Sequence, residues 1–369
     1  MIRVLYITRA RLSLRRAHAR NILKTAAALN ALPNVSVNLL SSLPETKDPR
    51  VFLDIHDVAH DLPVEQVHCA SFLYGALMHM RETFDVLYFR DPKLAWPALF
   101  TRLFLRKKVV FEIHGNKEWR LLIPVWLFAH ALSHGAVFIT DRLRVWYNPR
   151  KKPWAVAYVN APDIELFEKL RKPKGEFRSE LSLPRDHFIA MYVGSALWNK
   201  VDILVSMMRY LDDTVHLVLV GIKSNEVHQI FEAGNNMRIR GRVTVIERVD
   251  PIDIPRYLMS ADVLLVPPGS IAYEGSIASK LYEYIASGVP IVSHTHGANR
   301  ELLRDGENAL VVATTNPKDF ASAVERIKND TVLARSLASR ALEDAKRYTW
   351  EGRAVIIERL LKAVLMHAD

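Results

Sequence analysis

Short apolar segments alternate with longer amphipathic ones along this 369-residue chain, and that alternation constrains the fold more than any other feature. The segments RVLYIT at 3–8 and VHLVLVG at 215–221 are apolar at most positions. Such runs are typical of strands buried on both faces of a parallel sheet, with helices covering the faces. The series runs once before residue 160 and once after it. We therefore predict two Rossmann-like α/β domains.

The joint between the two domains is predicted in the Pro- and charge-rich stretch 160–175, which lacks strand or helix periodicity. This prediction assigns residues 1–165 to the first domain and 166–349 to the second. Within the first domain, the pattern also predicts long helices over 64–82 and 117–132.

Cysteine content and apolar run length exclude several classes of protein. The one cysteine, Cys69, rules out a disulfide framework and a multi-cysteine zinc site. The first residues reach arginines too soon for a signal peptide. The longest apolar run, Leu121–Ala129, is too short to span a bilayer. We expect a cytoplasmic protein whose membrane contact, if it has one, is peripheral at the inner face.

The excess positive charge lies entirely in the first half of the chain. Residues 1–160 contain 23 Lys and Arg against 12 Asp and Glu, a net charge of +11. Residues 161–369 contain 27 against 28, a net charge of −1. A basic domain of this kind indicates an anionic partner, such as a phosphorylated acceptor, a phospholipid surface or nucleic acid.

The segment GSIAYEGSIASKLYEYIASG at 269–288 combines small residues with a lysine and a glutamate at the start of a helix. Backbone amides at a helix start attract phosphate oxygens, and Ser276 or Ser279 can cap the helix. Lys280 adds a full charge, and Glu283 lies on the same helix face. A phosphate and ribose site is one interpretation, and a capped surface helix with a solvated Lys–Glu pair is the other.

The end of this segment, E283-Y-I-A-S-G-V-P, resembles the nucleotide-sugar site of family-4 retaining glycosyltransferases of the GT-B fold. The family has a glutamate eight residues earlier, whereas here Gly275 occupies that position and Glu274 is one place off register. The segments YVGSALWNK at 192–200 and VNAPDIELF at 159–167 resemble further family landmarks. In the first of these, Ser195 replaces an arginine common in the family.

The resemblance implies a fold, a reaction and a set of site residues. Two Rossmann-like domains should face each other across a cleft, with the C-terminal helix, residues 350–369, completing the first. The implied reaction transfers a sugar from a nucleotide-diphospho-sugar with retention, without a metal or a separate cofactor. The implied catalytic residues are His114, Lys200 and Lys280. The implied donor-binding residues are Gly194, Ser195, Arg248, Val249, Glu274, Gly275, Ser276, Ser279, Leu281 and Glu283.

Basic and aromatic residues in the first domain indicate an anionic or lipid-linked acceptor, or an anionic membrane surface. The residues assigned to this role are Arg9, Arg11, Arg15, Arg16, Asn116, Trp119 and Arg120. Arg102, Arg106, Lys107 and Lys108 form a second basic patch. A buried helix over 121–132 surrounded by solvated arginines is the alternative. Nucleic acid is not expected as a partner, because no base-reading module is visible.

Two other functions remain compatible with the sequence. A nucleotide-sugar epimerase would bind the same donor without an acceptor. A non-catalytic partner subunit would account for the off-register Glu274 and for Ser195. Acceptor-dependent release of nucleoside diphosphate separates the transferase from the epimerase, and absence of nucleotide binding in calorimetry would favour the non-catalytic subunit.

Overall fold

The computed structural model describes residues 1–9, 17–42, 53–54, 58, 61–67, 77–114, 123–147, 152–196, 199–234, 237–269, 275–295 and 297–367. The chain divides into two compact units. The first unit contains Met1–Asn160 and Thr349–Asp369, and the second contains Ala161–Tyr348. Each unit is built around its own parallel sheet, which confirms the prediction of two Rossmann-like α/β domains.

The first unit has a seven-stranded parallel sheet of order β3-β2-β1-β4-β5-β6-β7. Its strands are β1 (Ile2–Thr8), β2 (Val35–Ser42), β3 (Val64–Val67), β4 (Val86–Phe89), β5 (Lys108–Ile113), β6 (Gly135–Phe138) and β7 (Trp154–Val156). Helices between the strands are α1 (Ala17–Asn30), α2 (Ala95–Leu103), α3 (Ile123–Leu132) and α4 (Asp141–Tyr147). The central strands β4 and β5 are buried almost throughout, as their apolar sequences predict.

The helix predicted over 64–82 is wrong at its start. Residues Val64–Val67 instead form β3, which pairs in parallel with β2. The strand is short and lies at the edge of the sheet, and its order of one valine, two polar residues and one valine has no period of two that would have indicated a strand. Of the helix predicted over 117–132, the described part begins at Ile123.

The second unit has a six-stranded parallel sheet of order β10-β9-β8-β11-β12-β13. Its strands are β8 (Phe188–Val193), β9 (Val215–Val220), β10 (Val243–Ile246), β11 (Val263–Val266), β12 (Ile291–His294) and β13 (Leu310–Val312). Its helices include α5 (Ile164–Leu170), α6 (Lys174–Glu180), α7 (Val201–Met207), α8 (Ser224–Gly234), α9 (Ile254–Ser260), α10 (Lys280–Ser287), α11 (Pro317–Asn329) and α12 (Thr331–Ala345).

The boundary between the two units follows Asn160, and the stretch 160–175 is not free of regular structure. Helix α5 forms within it because the Asp163 side chain caps the helix by accepting a hydrogen bond from the backbone N–H of Leu166, at 3.2 Å. Phe167 is buried and holds the short helix to the second unit. Because the stretch is mostly charged, its sequence did not predict the helix that the buried Phe167 anchors.

The C-terminal helix α13 (Trp350–Met366) packs against α1 and the sheet of the first unit. Its buried guanidinium, on Arg353, donates to the Thr25 hydroxyl, to the backbone oxygens of Ala157 and Tyr158, and to the Glu112 carboxylate. One side chain therefore ties the chain terminus to strand β5 and to the end of the first unit's sheet.

Candidate functional site

The candidate site of the second unit lies where its two central strands end. Strands β8 and β11 are neighbours, but their connections lead to opposite halves of the sheet, through α7 to β9 and through α10 to β12. Ligands of parallel α/β sheets bind at the carboxyl ends of such a pair of strands. The residues that follow β8 and β11 are therefore the candidate ligand-binding residues.

Gly194 follows β8 and allows two side chains to approach the strand end closely. Its φ of +143° is rare for other residues. A Cβ atom at this position would lie only 2.5 Å from the Lys280 Nζ and 3.0 Å from the Tyr192 Oη. Glycine at position 194 is therefore required both by the backbone and by the side chains packed over it.

Lys280, the first residue of α10, reaches back over the end of β8. Its Nζ donates a hydrogen bond to the Tyr192 Oη at 2.8 Å and lies 3.9 Å from the centre of the same ring. The Tyr192 hydroxyl in turn donates to the Ser195 carbonyl at 2.8 Å. No carboxylate among the described residues pairs with Lys280. Burial lowers the pKa of Lys280 to about 7, because desolvation disfavours the ammonium form.

Lys200 is exposed at the N-cap of α7, beside the end of β11. Its backbone N–H donates to the Pro268 carbonyl at 2.9 Å, and the neighbouring Asn199 forms an antiparallel bridge with Gly269. Backbone pairing thus joins the loop after β8 to the loop after β11. Both predicted lysines are held at the same edge of the sheet.

The start of α10 differs in one respect from the prediction. Ser279 occupies the N-cap position but has helical backbone angles, and its side chain makes no capping hydrogen bond. Of the two serines expected to cap the helix, Ser276 and Ser279, the second therefore does not do so. The preceding turn is held instead by Asn299, whose Oδ1 accepts from the backbone N–H of Ala278 at 3.1 Å. Gly275 and Ser276 are half-buried in this turn.

Glu283 lies in the first turn of α10 and is half-buried, whereas Leu281 is fully buried in the core. Leu281 therefore contributes packing. Tyr284 fixes the helix against the sheet, since its hydroxyl accepts from the backbone N–H of Val193 at 2.8 Å. The helix ends at Gly288, whose φ of 73° terminates it in the left-handed conformation. Glu283 is thus presented on a helix that is anchored at both ends.

The remaining predicted donor residues belong to the same edge or lie outside the described residues. Arg248 is exposed and Val249 is half-buried, just after β10 at the end of the sheet. Ser195 is half-buried, and its carbonyl oxygen accepts from Tyr192 and from the Asn199 side chain. Glu274 falls among the residues that the structure does not describe.

In the first unit, His114 follows β5 and is held on both ring nitrogens. Its Nε2 bonds to the Oε1 of Glu112, and its Nδ1 lies 3.1 Å from the Nη2 of Arg90. Because arginine can only donate, Nδ1 is the acceptor and Nε2 carries the hydrogen. Glu112 also accepts from the Tyr88 hydroxyl and, at 2.8 Å, from Arg353. The imidazole orientation is therefore fixed by a buried network.

The network keeps His114 neutral and Glu112 ionised. Burial and, to a smaller extent, the charge of Arg90 lower the pKa of His114 to about 4, against the opposing effect of Glu112. Burial would raise the pKa of Glu112, but Arg353, together with His114 and Arg90, outweighs that effect and lowers it. Both ring nitrogens of His114 are consequently engaged in hydrogen bonds in this neutral state.

The predicted acceptor residues are described only in part. Arg9 is exposed immediately after β1, at the carboxyl end of the sheet. The other predicted residues of this group lie outside the described residues: Arg11, Arg15, Arg16, Asn116, Trp119 and Arg120.

Tyr192, Glu112, Arg90 and Arg353 were not among the predicted site residues. Glu112 offered a usable signal, because a carboxylate inside the apolar run KVVFEIH requires a buried partner. Tyr192 offered none, since a tyrosine in an apolar strand is ordinarily a core residue.

Comparisons with known proteins agree with this geometry. Residues 173–344 match the family model described as glycosyl transferases group 1. The D-inositol 3-phosphate glycosyltransferase of Nocardioides sp. is 24% identical over 52% of this chain and 45% of its own length. The phosphatidyl-myo-inositol mannosyltransferase of Mycobacterium leprae is 25% identical over 76% of this chain and 74% of its own length. The chain thus spans about half the length of the first relative.

A solved structure of similar fold is Anabaena Alr3699/HepE in complex with UDP. It has a TM-score of 0.77 at 16% identity, and the match covers 98% of this chain and 100% of that one. The same protein in complex with UDP-glucose has a TM-score of 0.76 at 14% identity, over the full length of both chains. The chain therefore has the GT-B fold, and its residues 173–344 are similar to the glycosyl transferases group 1 family.

Proposed function

We propose that this protein is a retaining glycosyltransferase that moves a sugar from a nucleotide-diphospho-sugar to an acceptor hydroxyl, in the assembly of a glycolipid, polysaccharide or other glycoconjugate. The observation that carries the proposal is Lys280, held at the ends of β8 and β11 by a phenol and its ring, with no carboxylate partner among the described residues. Buried cations are ordinarily paired with anions. The diphosphate of a nucleotide sugar would supply the missing anion.

The proposed roles follow from charge and position. Lys200, Lys280 and the backbone amides at the start of α10 stabilise the negative charge that develops on the leaving diphosphate. Glu283 accepts hydrogen bonds from the ribose hydroxyls. The reaction needs neither a metal nor a separate cofactor in this scheme, because these cations supply the positive charge that a metal ion would otherwise provide. The departing diphosphate, rather than His114, takes the acceptor proton.

The first unit is proposed to receive an anionic or lipid-linked acceptor at the cytoplasmic face of a membrane. Its net charge of +11 supports this role, as does Arg9 at the end of β1. The mycobacterial relative is named for transfer to phosphatidyl-myo-inositol, which is an anionic lipid.

Thermal unfolding in the presence of nucleotide sugars tests the donor site. A ligand that binds only the folded state raises the unfolding temperature, so UDP-glucose and a panel of UDP-, GDP- and ADP-sugars serve as probes. We expect at least one to stabilise the wild type, K280M to lose most of that shift, and K318M, which removes an exposed lysine of the same unit, to retain it. A panel without any stabilising member would contradict the proposal.

A turnover assay separates the transferase from the two alternatives. We expect nucleoside diphosphate to be released only when an acceptor such as phosphatidylinositol vesicles is present, and a chelator to leave the rate unchanged. The anomeric proton coupling in the product, measured by NMR, reports retention. An epimerase would convert the donor without releasing diphosphate, and a non-catalytic subunit would do neither.

A further inference from the structure

One face of the first unit's sheet changes from apolar to polar at its carboxyl edge. Continued to the ends of β2, β1, β4 and β5, the strand registers give a row made of Ser41, Thr8, Arg90 and Glu112. Two residues earlier along each strand, the positions on the same face are aliphatic or aromatic and belong to the buried core. The polar row therefore lies at the edge where parallel sheets bind their ligands.

The middle of this row is the point where the chain changes direction across the sheet. Strands β1 and β4 are neighbours, but β1 leads through α1 to β2 on one side, whereas β4 leads through α2 to β5 on the other. The same arrangement marks the ends of β8 and β11 in the second unit. Thr8 and Arg90, at the ends of β1 and β4, thus occupy the position expected for a ligand of the first unit.

Arg90 has a terminal nitrogen that is left without a hydrogen bond. Its Nη2 lies 3.1 Å from the Nδ1 of His114. Its Nη1 is shielded from solvent and has no hydrogen-bond partner among the described residues. The side chain as a whole is half-buried, so part of it still reaches solvent. A buried donor of this kind is ordinarily met by a water molecule or by a ligand.

The groups around Arg90 in the described part of the chain do not neutralise its charge. Burial keeps His114 neutral by lowering its pKa to about 4. Burial and Glu112 raise the pKa of Tyr6, against the smaller opposing effect of Arg90, so this phenol is neutral as well. The Glu112 carboxylate already accepts from Arg353 at 2.8 Å. Two guanidinium groups against one carboxylate leave one positive charge in excess.

We propose that Arg90 binds an oxyanion, and that this oxyanion is the phosphate or carboxylate of the acceptor. A guanidinium offers parallel N–H donors that match two oxygens of either group. Arg9, exposed one residue beyond Thr8, adds a second positive charge at the same edge. The acceptor is accordingly a phosphorylated or acidic sugar or polyol. A neutral one is bound less well, because it leaves the cation unpaired.

The inference rests on the proposed function, since it identifies the residue of the basic unit that recognises an anionic acceptor. It also separates two buried arginines by their chemistry. Arg353 is matched by a carboxylate and by three further oxygens, and it serves the fold. Arg90 has a neutral imidazole as its hydrogen-bond partner, and it serves the ligand.

Binding of small acidic sugars to the full chain tests the inference. Glucose 6-phosphate and glucuronate distinguish a phosphate from a carboxylate, and glucose is the neutral control. We expect at least one of the two anions to raise the unfolding temperature, and glucose to leave it unchanged. R90M should weaken calorimetric binding of that anion about tenfold or more. Its matched control, R81M, removes an exposed arginine that precedes β4 and should bind as the wild type does.

Unfolding without any anion separates ligand binding from a structural role. A purely structural Arg90 would make R90M less stable in every buffer, while the shift caused by the anion would persist. We expect the reverse: similar unfolding temperatures without the anion, and loss of the shift in its presence. R90K keeps the charge without the fork, so its affinity for the anion should lie between those of R90M and the wild type.

UDP-glucose binding, measured on the same proteins, keeps this inference distinct from the proposed function. R90M should bind UDP-glucose as the wild type does, and K280M should still bind the acidic sugar. Anion binding without any nucleotide-sugar binding would reject the donor site and leave the assignment of Arg90 standing. Three results would overturn that assignment alone: no response to either anion, equal losses in R90M and R81M, or loss of the anion in K280M but not in R90M.

Discussion

Each unit holds a half-buried or buried cation near the end of its central strands, but the two cations have different partners. In the first unit, Arg353 meets the Glu112 carboxylate at 2.8 Å and three further oxygens. In the second unit, the contacts of the Lys280 Nζ within the described part of the chain are with the hydroxyl and the ring of Tyr192. A cation whose hydrogen-bonding capacity is filled stabilises the fold. A cation left with a neutral partner remains available to an anionic ligand.

The different chemical properties of arginine and lysine suit these two roles. Arginine remains protonated when buried and offers a rigid fork of donors that can satisfy several fixed acceptors. Lysine loses its proton when burial is not offset by an anion, which lowers its pKa, here to about 7. The comparison therefore predicts that substitution of the first cation changes stability and substitution of the second changes ligand binding.

The largest expected effect is that of R353M. Removing the guanidinium leaves the Glu112 carboxylate buried without its main partner, which typically costs about 3–5 kcal/mol in the free energy of unfolding. R359M removes an exposed arginine of the same helix and is expected to be nearly neutral. Equilibrium urea unfolding measures both.

The double variant E112Q/R353M tests the cause of that loss. Neutral glutamine has no charge to compensate, so the double variant should be more stable than R353M alone. A double variant as unstable as R353M would assign the loss to the other hydrogen bonds of Arg353 rather than to the ion pair.

The next effect concerns Glu283, the carboxylate in the first turn of α10. E283A should weaken UDP-glucose binding by about 1.5–3 kcal/mol, the usual contribution of hydrogen bonds to a charged group. Isothermal titration calorimetry provides the measurement, and E232A, at an exposed site on α8, is the matched control. An unchanged affinity in a correctly folded E283A would remove Glu283 from the ribose site.

Donor binding should also depend on pH through Lys280. With a free-state pKa of about 7, the ammonium form is lost as the pH rises above 7, and affinity for the diphosphate should fall by up to about tenfold per pH unit. The donor diphosphate diester does not titrate in this range. K280R keeps its charge at every pH tested and should abolish the dependence. A wild-type affinity that is flat from neutral to alkaline pH would contradict a binding role for Lys280.

The smallest effect expected is that of K280M on stability. Methionine replaces the stem of the side chain and removes a desolvated amine, so the lost contact with the Tyr192 ring should change the free energy of unfolding by about 1 kcal/mol or less. Urea unfolding at neutral pH would show it. A loss as large as that of R353M would mean that Lys280 is a structural cation, and the contrast between the two units would fail.

Local sequence determined much of this protein. Apolar runs such as 215–221 predicted the buried strands, and the segment 269–288 predicted the start of a helix that carries Lys280 and Glu283. Both features depend on neighbouring residues, through hydrophobic periodicity and backbone preference. Where the local signal was weak, as in VEQV at 64–67 and around Asp163, the prediction missed a strand and a helix.

Contacts between distant residues decided the rest. Arg353 and Glu112 are 241 residues apart, and Lys280 and Tyr192 are 88 apart, so no local pattern could pair them. The same limit applies to the exposed Trp96 and Trp146, because a tryptophan in an amphipathic helix has the same sequence signature whether it is buried or exposed. The sequence determined which segments form strands and helices and which residues are candidates for phosphate binding. Only tertiary packing decided which cations are neutralised and which apolar side chains remain in contact with solvent.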